Sequence, residues 1–261
     1  MIEIDRLSLE LKGHSILKNI SAGIDKGSFT AILGPNGAGK STFMKCLTGS
    51  EKGFTGTVRL DGKKLSDYGL KEMASKRAVL SQRFQVEFPF TVEEVVTMGR
   101  YDKDLGTTVK RQEQILEEVL ASVDAIHLRN RIFPSLSGGE QQRVQLARVL
   151  AQIWGEEERY LFLDEPTSAL DLKHQVAVLK LVRQLCYDKG YTIIAVLHDL
   201  NLAKAVSDHV ILLKNGGLYA SGSTNSLLSP RYINTTYGIE LEELKDPETG
   251  VSYLFHKDFY T

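Results

Sequence analysis

No stretch of this sequence could cross a membrane as a helix. The longest uninterrupted apolar run is Ile193–Leu197, five residues, against the roughly 20 that a spanning helix needs. Neither sign of charge is in excess. The 32 Lys and Arg stand against 33 Asp and Glu, a net charge of −1, which disfavours a strongly basic nucleic-acid binder while leaving room for a local basic patch. Cysteine is scarce: Cys46 and Cys186 lie far apart and make no metal-ligand spacing, which points to buried free thiols in a reducing compartment. No basic-then-apolar leader opens the chain, so secretion is not expected. Internal repeats and low-complexity segments are also missing.

What is present is the composition of an ordinary folded protein. Over 261 residues, 42% are hydrophobic and 25% charged, enough for one large domain or one domain with an insertion. Short β-type runs (Ser28–Leu33, Arg77–Ser81, Tyr160–Leu163, Thr192–Leu197, Val210–Leu213) alternate with longer helical stretches. Several of the runs are continuously apolar, as strands buried on both faces should be. This alternation predicts an α/β layer fold with a mainly parallel sheet. Ile2–Leu11 and Thr57–Leu60 instead alternate with polar residues, which predicts a small antiparallel flank. Between Gln82 and Ser137 lie about 54 residues with hardly any strand signal. There Thr91 and Glu94 have capping-box spacing, and Ile115, Leu116, Val119, Leu120 and Val123 follow helical spacing. A helical insertion is expected, and a terminal hairpin over Ile239–Leu244 and Val251–Phe255.

Gly34-Pro35-Asn36-Gly37-Ala38-Gly39-Lys40-Ser41-Thr42 follows the apolar run Phe29–Leu33 and precedes a helical stretch, the strand–loop–helix setting of a P-loop. Glycines let the backbone wrap an anion with its N–H groups, and the following helix offers its positive end. Lys40 brings a point charge to the terminal phosphates, and the Ser41 hydroxyl can ligate Mg²⁺. The pattern implies a nucleoside triphosphate without saying what its hydrolysis drives. Asp164, after Tyr160–Leu163, is the candidate second Mg²⁺ partner, and Glu165 the candidate general base; alone, such a pair could simply cap a turn. The Gln82 amide suits Mg²⁺ or water, and His198, after Thr192–Leu197, could hold a γ-phosphate or the attacking water.

Leu136-Ser137-Gly138-Gly139-Glu140-Gln141-Gln142-Arg143 has capping-box spacing at Ser137 and Glu140, with two glycines that permit close approach to an anion. A well-capped helix whose Val144, Ala147 and Leu150 face inward explains the same pattern, and both readings can hold together. The P-loop, Gln82, this signature, Leu161–Glu165, Ser168–Asp171 and His198 occur in an order that resembles ABC-transporter ATPase subunits. The resemblance runs from the first strand to about Gly222. It implies a P-loop NTPase (RecA-like) core with an antiparallel β flank over 1–82 and 155–222, an inserted α-helical subdomain over 83–154, and a tail over 223–261. It also implies ATP and Mg²⁺, and a head-to-tail pair of copies in which Ser137, Gly138 and Gly139 contact ATP held by the other copy's Gly34–Thr42 loop. Asp171 would lie at that seam. The family often stacks adenine on an aromatic residue near the first strands, where this sequence has Leu9, Leu11 and His14.

Phe88–Arg100 resembles the segment found in importers of iron–siderophore, haem and cobalamin, where the region Gln82–Arg100 lines a cleft for a polytopic permease. From the residues alone, Phe88 and Phe90 could be groove anchors or could close the helical subdomain's own core. Arg148–Trp154, the acidic loop Glu156–Glu158 and Asp164–Gln175 look most like the ATPase of bacterial haem importers. The resemblance implies a peripheral subunit on the cytoplasmic face of the inner membrane, served indirectly by a periplasmic binding protein. A nucleic-acid-linked ABC ATPase is disfavoured by the single cassette, the missing heptads and the neutral charge. An assembly scaffold and an exporter subunit are the competing classes. Asn234-Thr235-Thr236 matches a glycosylation sequon expected to be idle.

Overall fold

The computed structural model describes residues 1–81, 88–100 and 108–256. In chain order the first elements are β1 (Ile2–Leu11), β2 (His14–Ile24), β3 (Phe29–Leu33), α1 (Lys40–Leu47), β4 (Thr55–Leu60) and β5 (Lys63–Lys64). Then follow α2 (Leu70–Lys76), β6 (Arg77–Leu80), α3 (Val92–Thr97), α4 (Val109–Ser122), α5 (Gly138–Ile153), β7 (Tyr160–Asp164) and α6 (Leu172–Lys189). The chain ends with β8 (Thr192–Val196), α7 (Leu200–Val206), β9 (His209–Lys214), β10 (Gly217–Ser223), α8 (Thr224–Leu227), α9 (Pro230–Tyr237), β11 (Leu241–Lys245) and β12 (Ser252–His256). Two compact units result, one of residues 1–67 with 194–261 and one of residues 68–193. Among the described residues no helix is long and apolar enough to cross a membrane.

The first unit is built on strands in the order β5-β4-β1-β2-β10-β9-β3. β1 pairs antiparallel with β2 and with β4, the flank expected from the polar alternation. β3 runs parallel to β9, with Thr30 opposite His209 and Leu33 opposite Leu212. All five residues of β3 are buried, so this strand is covered on both faces, as its unbroken apolar run demands. Phe43, Met44 and Leu47 of α1 are likewise buried, each such side chain contributing about 1.5–3 kcal/mol by leaving water. Cys46 sits among them, and burial pushes its thiol up to about 12. Cys46 and Cys186 are both free and buried, as expected.

The tail forms the β11–β12 hairpin, with Leu241 opposite His256 and Lys245 opposite Ser252. Two asparagines join it to the body of this unit through both polar atoms of their amides. Asn234 exchanges bonds with Leu241 at 2.8 and 3.1 Å, and Asn201 with Leu254 at 2.8 and 3.0 Å. The sequon asparagine is therefore a structural clamp.

In the second unit β6 runs parallel to β7, with Arg77 opposite Tyr160 and Leu80 opposite Leu163. Thr91 caps α3 and Ser137 caps α5, each with a complete capping box. α4 buries Ile115, Leu116, Val119 and Leu120, the stripe read from the spacing. Arg129 braces the helices by donating to Glu93 and Glu113, and its guanidinium holds the Glu93 carboxyl below the usual range. Phe88 is 71% exposed and does not close a core. Phe90 is half-buried, 6.2 Å from the Phe88 ring centroid.

Candidate active site

The phosphate-loop sequence leaves β3 and becomes α1 in the first unit. Gly34 adopts φ +150, and a Cβ there would lie 2.2 Å from the Leu213 carbonyl oxygen. No other residue fits. Gly37 at φ +78 faces open space, so only its backbone conformation asks for glycine. Lys40 is buried and turns back into the loop. Its Nζ donates to Gly34 O at 2.8 Å and to Pro35 O at 3.0 Å. Ala38 N–H donates to Pro35 O at 3.2 Å. α1 starts from Gly39 with no side-chain cap and no acidic residue in its first turn, so the positive helix end opens onto the loop without a carboxylate of its own.

His198 is exposed just beyond β8. Leu197 N–H donates to Ile32 O at 3.3 Å, tying the residue before His198 to the strand two residues before Gly34. At the first strands Leu9 is 2% exposed, whereas Leu11 and His14 are exposed and paired across the β1–β2 turn. Of the three, only His14 has a ring that could stack on a purine.

The second unit carries the carboxylates. Asp164 ends β7 at 6% exposure. Glu165 follows with φ +54, a left-handed conformation uncommon for a non-glycine residue. Strain of this kind persists where the surroundings over-determine it, and here they do. Glu165 O accepts from Gln142 Nε2 at 3.0 Å, from Ser168 N–H at 3.3 Å and from the Ser168 hydroxyl at 3.1 Å. Gln142 Oε1 in turn accepts Ala169 N–H at 2.9 Å. Asp164 and Glu165 line a cavity of about 230 Å³ together with Ser81, Gly138, Gln142 and Ser168. A donor set of carboxylates, hydroxyls and amides suits a hard cation and a water molecule.

Ser137 and Gly138 are exposed at the start of α5. The Ser137 N–H and hydroxyl donate to Glu140 Oε2 at 2.8 and 2.7 Å, which holds the Glu140 carboxyl below its ordinary value. A Cβ at Gly138 would meet nothing within 4 Å, whereas one at Gly139 would lie 3.2 Å from Ala169 O. Asp171 caps α6: its Oδ1 accepts His174 N–H at 2.9 Å and lies 2.8 Å from His174 Nδ1. Those bonds lower its pKa.

Of the predicted site residues, Gly34–Thr42 and His198 thus belong to the first unit. Ser137, Gly138, Gly139, Asp164, Glu165 and Asp171 belong to the second, where one cavity gathers Gly138, Asp164 and Glu165. Gln82 lies outside the described residues. Spacing alone gives no role to Gln142, although it stands in the signature; only its partners 23 and 27 positions away reveal one.

A family model described as ABC transporter matches residues 17–168, from β2 through the phosphate loop and the signature to the Glu165 turn. This chain belongs to the ABC transporter family. The P-loop ATPase fold and the ATPase activity coupled to transport that the motifs led us to expect follow from that membership. The chain is 41% identical over 249 residues to the hemin import ATP-binding protein HmuV of Escherichia coli O157:H7, covering 95% of this chain and 96% of the relative. Proteins of the same name from Gloeobacter violaceus and Pseudomonas entomophila are each 42% identical, covering 96% of this chain and 92% and 97% of their own. Among solved structures, a transporter described as of the metal-chelate ABC type, in an inward-facing conformation, is similar at TM-score 0.80 and 25% identity over 99% of this chain and 98% of its own. A dimeric ATP-binding cassette bound to ADP and phosphate is similar at TM-score 0.75 and 27% identity over 86% of this chain and 99% of its own.

Proposed function

We propose that this ABC ATPase energises the uptake of haem through a bacterial importer, as a peripheral subunit on the cytoplasmic face of the inner membrane. The observation that carries the reading is identity above 40% along nearly the whole chain to three proteins named for hemin import. Ferric siderophore import is the second reading, favoured by the likeness to a metal-chelate type transporter; cobalamin import stands behind it. In either case the partners are a second copy of this chain, polytopic permease subunits received near Gln82–Arg100, and indirectly a periplasmic binding protein. The exposed Phe88 beside Phe90 supports that docking role. No nucleic-acid partner is part of this reading.

The residue roles follow from chemistry. The loop Gly34–Thr42 holds the phosphates of ATP through Lys40 and the backbone N–H groups that follow Pro35. Ser41, Asp164 and Gln82 are the ligands for Mg²⁺, which neutralises phosphate charge. Glu165 accepts the proton of the attacking water, and His198 and Gln82 orient it. Ser137, Gly138 and Gly139 at the positive end of α5 complete the site on the other copy's loop, with Asp171 at the seam. ATP-driven closure of the pair moves the permease, and hydrolysis resets it. We keep the division into core (1–82, 155–222), helical subdomain (83–154) and tail (223–261) as part of this proposal. Reconstitution with the cognate permease, comparing ATP-driven uptake of haem, ferric siderophores and cobalamin, tests the cargo. Uptake of siderophore or cobalamin but not haem overturns the first reading.

A further inference from the structure

Tyr237 belongs to none of the motifs described above. It is the last residue of α9, and Gly238 follows in left-handed conformation and ends the helix. Its phenolic oxygen accepts the N–H of Gly34 at 2.9 Å, across 203 positions of the chain. The carbonyl of the same glycine takes Lys40 Nζ at 2.8 Å. Both polar groups of the Gly34 backbone are therefore engaged, one by the loop's own lysine and the other by the C-terminal segment. Burial raises the pKa of the Tyr237 phenol above its ordinary value, so it stays neutral and available as an acceptor throughout the physiological range. The helix that carries it is itself fixed. Lys214 Nζ donates to Thr235 O, and Asn234 is clamped to Leu241.

The two holds on Gly34 differ in kind. Lys40 is the cation that a phosphate would attract, so its bond to Gly34 O is in competition with any anion in the loop. The bond from Gly34 N–H to the phenol involves no group a phosphate needs. Gly34 has no side chain to lock its own peptide, and glycine has the widest backbone freedom of any residue. Whatever orients this first peptide of the loop when Lys40 turns to a ligand must therefore come from elsewhere in the unit. The geometry points to Tyr237 as a positioning residue for the phosphate loop, through which the docked C-terminal segment raises affinity for a nucleoside triphosphate. This rests on the reading of Gly34–Thr42 as the phosphate loop.

The test is Tyr237→Phe in the full chain, which keeps the ring and removes the acceptor. The dissociation constant of a fluorescent ATP analogue and the KM for ATP should rise about three- to tenfold, the value of one hydrogen bond expressed as an equilibrium factor. Turnover at saturating ATP should stay within about twofold, because only binding is weakened. Hydrogen exchange at the Gly34 amide should accelerate in the same variant. Ile233→Val, which trims α9 at a fully buried position, should lower the melting temperature and leave nucleotide affinity unchanged. Wild-type affinity in Tyr237→Phe overturns the inference. So does a loss of affinity in Ile233→Val as large as in Tyr237→Phe, since docking of the helix alone would then explain both. If the wild-type chain itself fails to bind the analogue, the phosphate-loop reading beneath the inference falls instead.

Discussion

The side-chain amide of Gln142 donates to the Glu165 carbonyl at 3.0 Å. The other end of the same amide accepts from Ala169 N–H at 2.9 Å. One side chain of the signature helix thus bridges both ends of the turn that carries the candidate general base. Since Glu165 sits at φ +54, a conformation its side chain does not favour, the turn needs such bracing. The signature of this ABC ATPase therefore reaches beyond its serine and glycines into the placing of the carboxylate.

Removing that bridge should slow chemistry more than it weakens binding. Gln142→Leu deletes two hydrogen bonds, each worth about 1 kcal/mol, and lets Glu165 move from its productive position. We expect turnover to fall by about tenfold or more with little change in KM, read by steady-state phosphate release. Unchanged turnover would show that Ser168 alone holds the turn.

Glu165→Gln keeps the shape and removes the base. Hydrolysis should drop by about 10²- to 10⁴-fold, while ATP should still bind and should now shift the chain to a stable dimer in size-exclusion chromatography. Fast hydrolysis in this variant would remove Glu165 from the mechanism.

The two loop glycines should respond differently to a single methyl group. At Gly34 the added Cβ would strike the Leu213 carbonyl at 2.2 Å, so Gly34→Ala should abolish nucleotide binding and lower the melting temperature sharply. At Gly37, where nothing lies within 4 Å, alanine meets only the cost of a positive φ, about 1–2 kcal/mol. Equal melting temperatures for the two variants would contradict the close approach of Gly34 to the Leu213 backbone.

Acid should loosen the start of α5. In the folded chain Glu140 has a lowered pKa, so its contribution is full above the unfolded value, about 4.3. It fades as pH falls through the lower folded value. Glu140→Gln should melt below wild type at neutral pH, and the gap should close on acidification; a constant gap would contradict the assignment. Ser137→Ala should cost about 1 kcal/mol as a lost helix cap.

Much of the fold is legible in local signals that survive folding intact. The buried strands stand out because continuous apolar runs have few alternatives: Ser28–Leu33 and Thr192–Leu197 are expected, and Phe29–Leu33 and Thr192–Val196 are found. Both capping boxes are visible as a Ser or Thr followed three residues later by Glu. β2 is not legible, because register shifts against β1 break its alternation. β10 escapes for another reason: Gly217–Ser223 offers no run of large apolar residues, and its strand partners include β2, far away in sequence. The same distance hides Gln142 and Tyr237. Their roles depend on partners that no spacing rule connects, and a glutamine or a tyrosine at a helix position looks ordinary until the fold brings it to a backbone group.

The asparagine clamps give the tail a character of its own. Leu241 and Leu254, the two residues gripped by amides, are also the hairpin's buried side chains, whereas Leu244 and Tyr253 face solvent. Attachment runs through side chains, the two amides and Lys204 Nζ on the Glu243 carboxylate at 2.6 Å, instead of along a shared strand edge. Such a segment opens as one cooperative piece, independently of the strands of the core. Heat or a protease should therefore find β11–β12 as a hinged flap that comes away whole, with the rest of the first unit still closed.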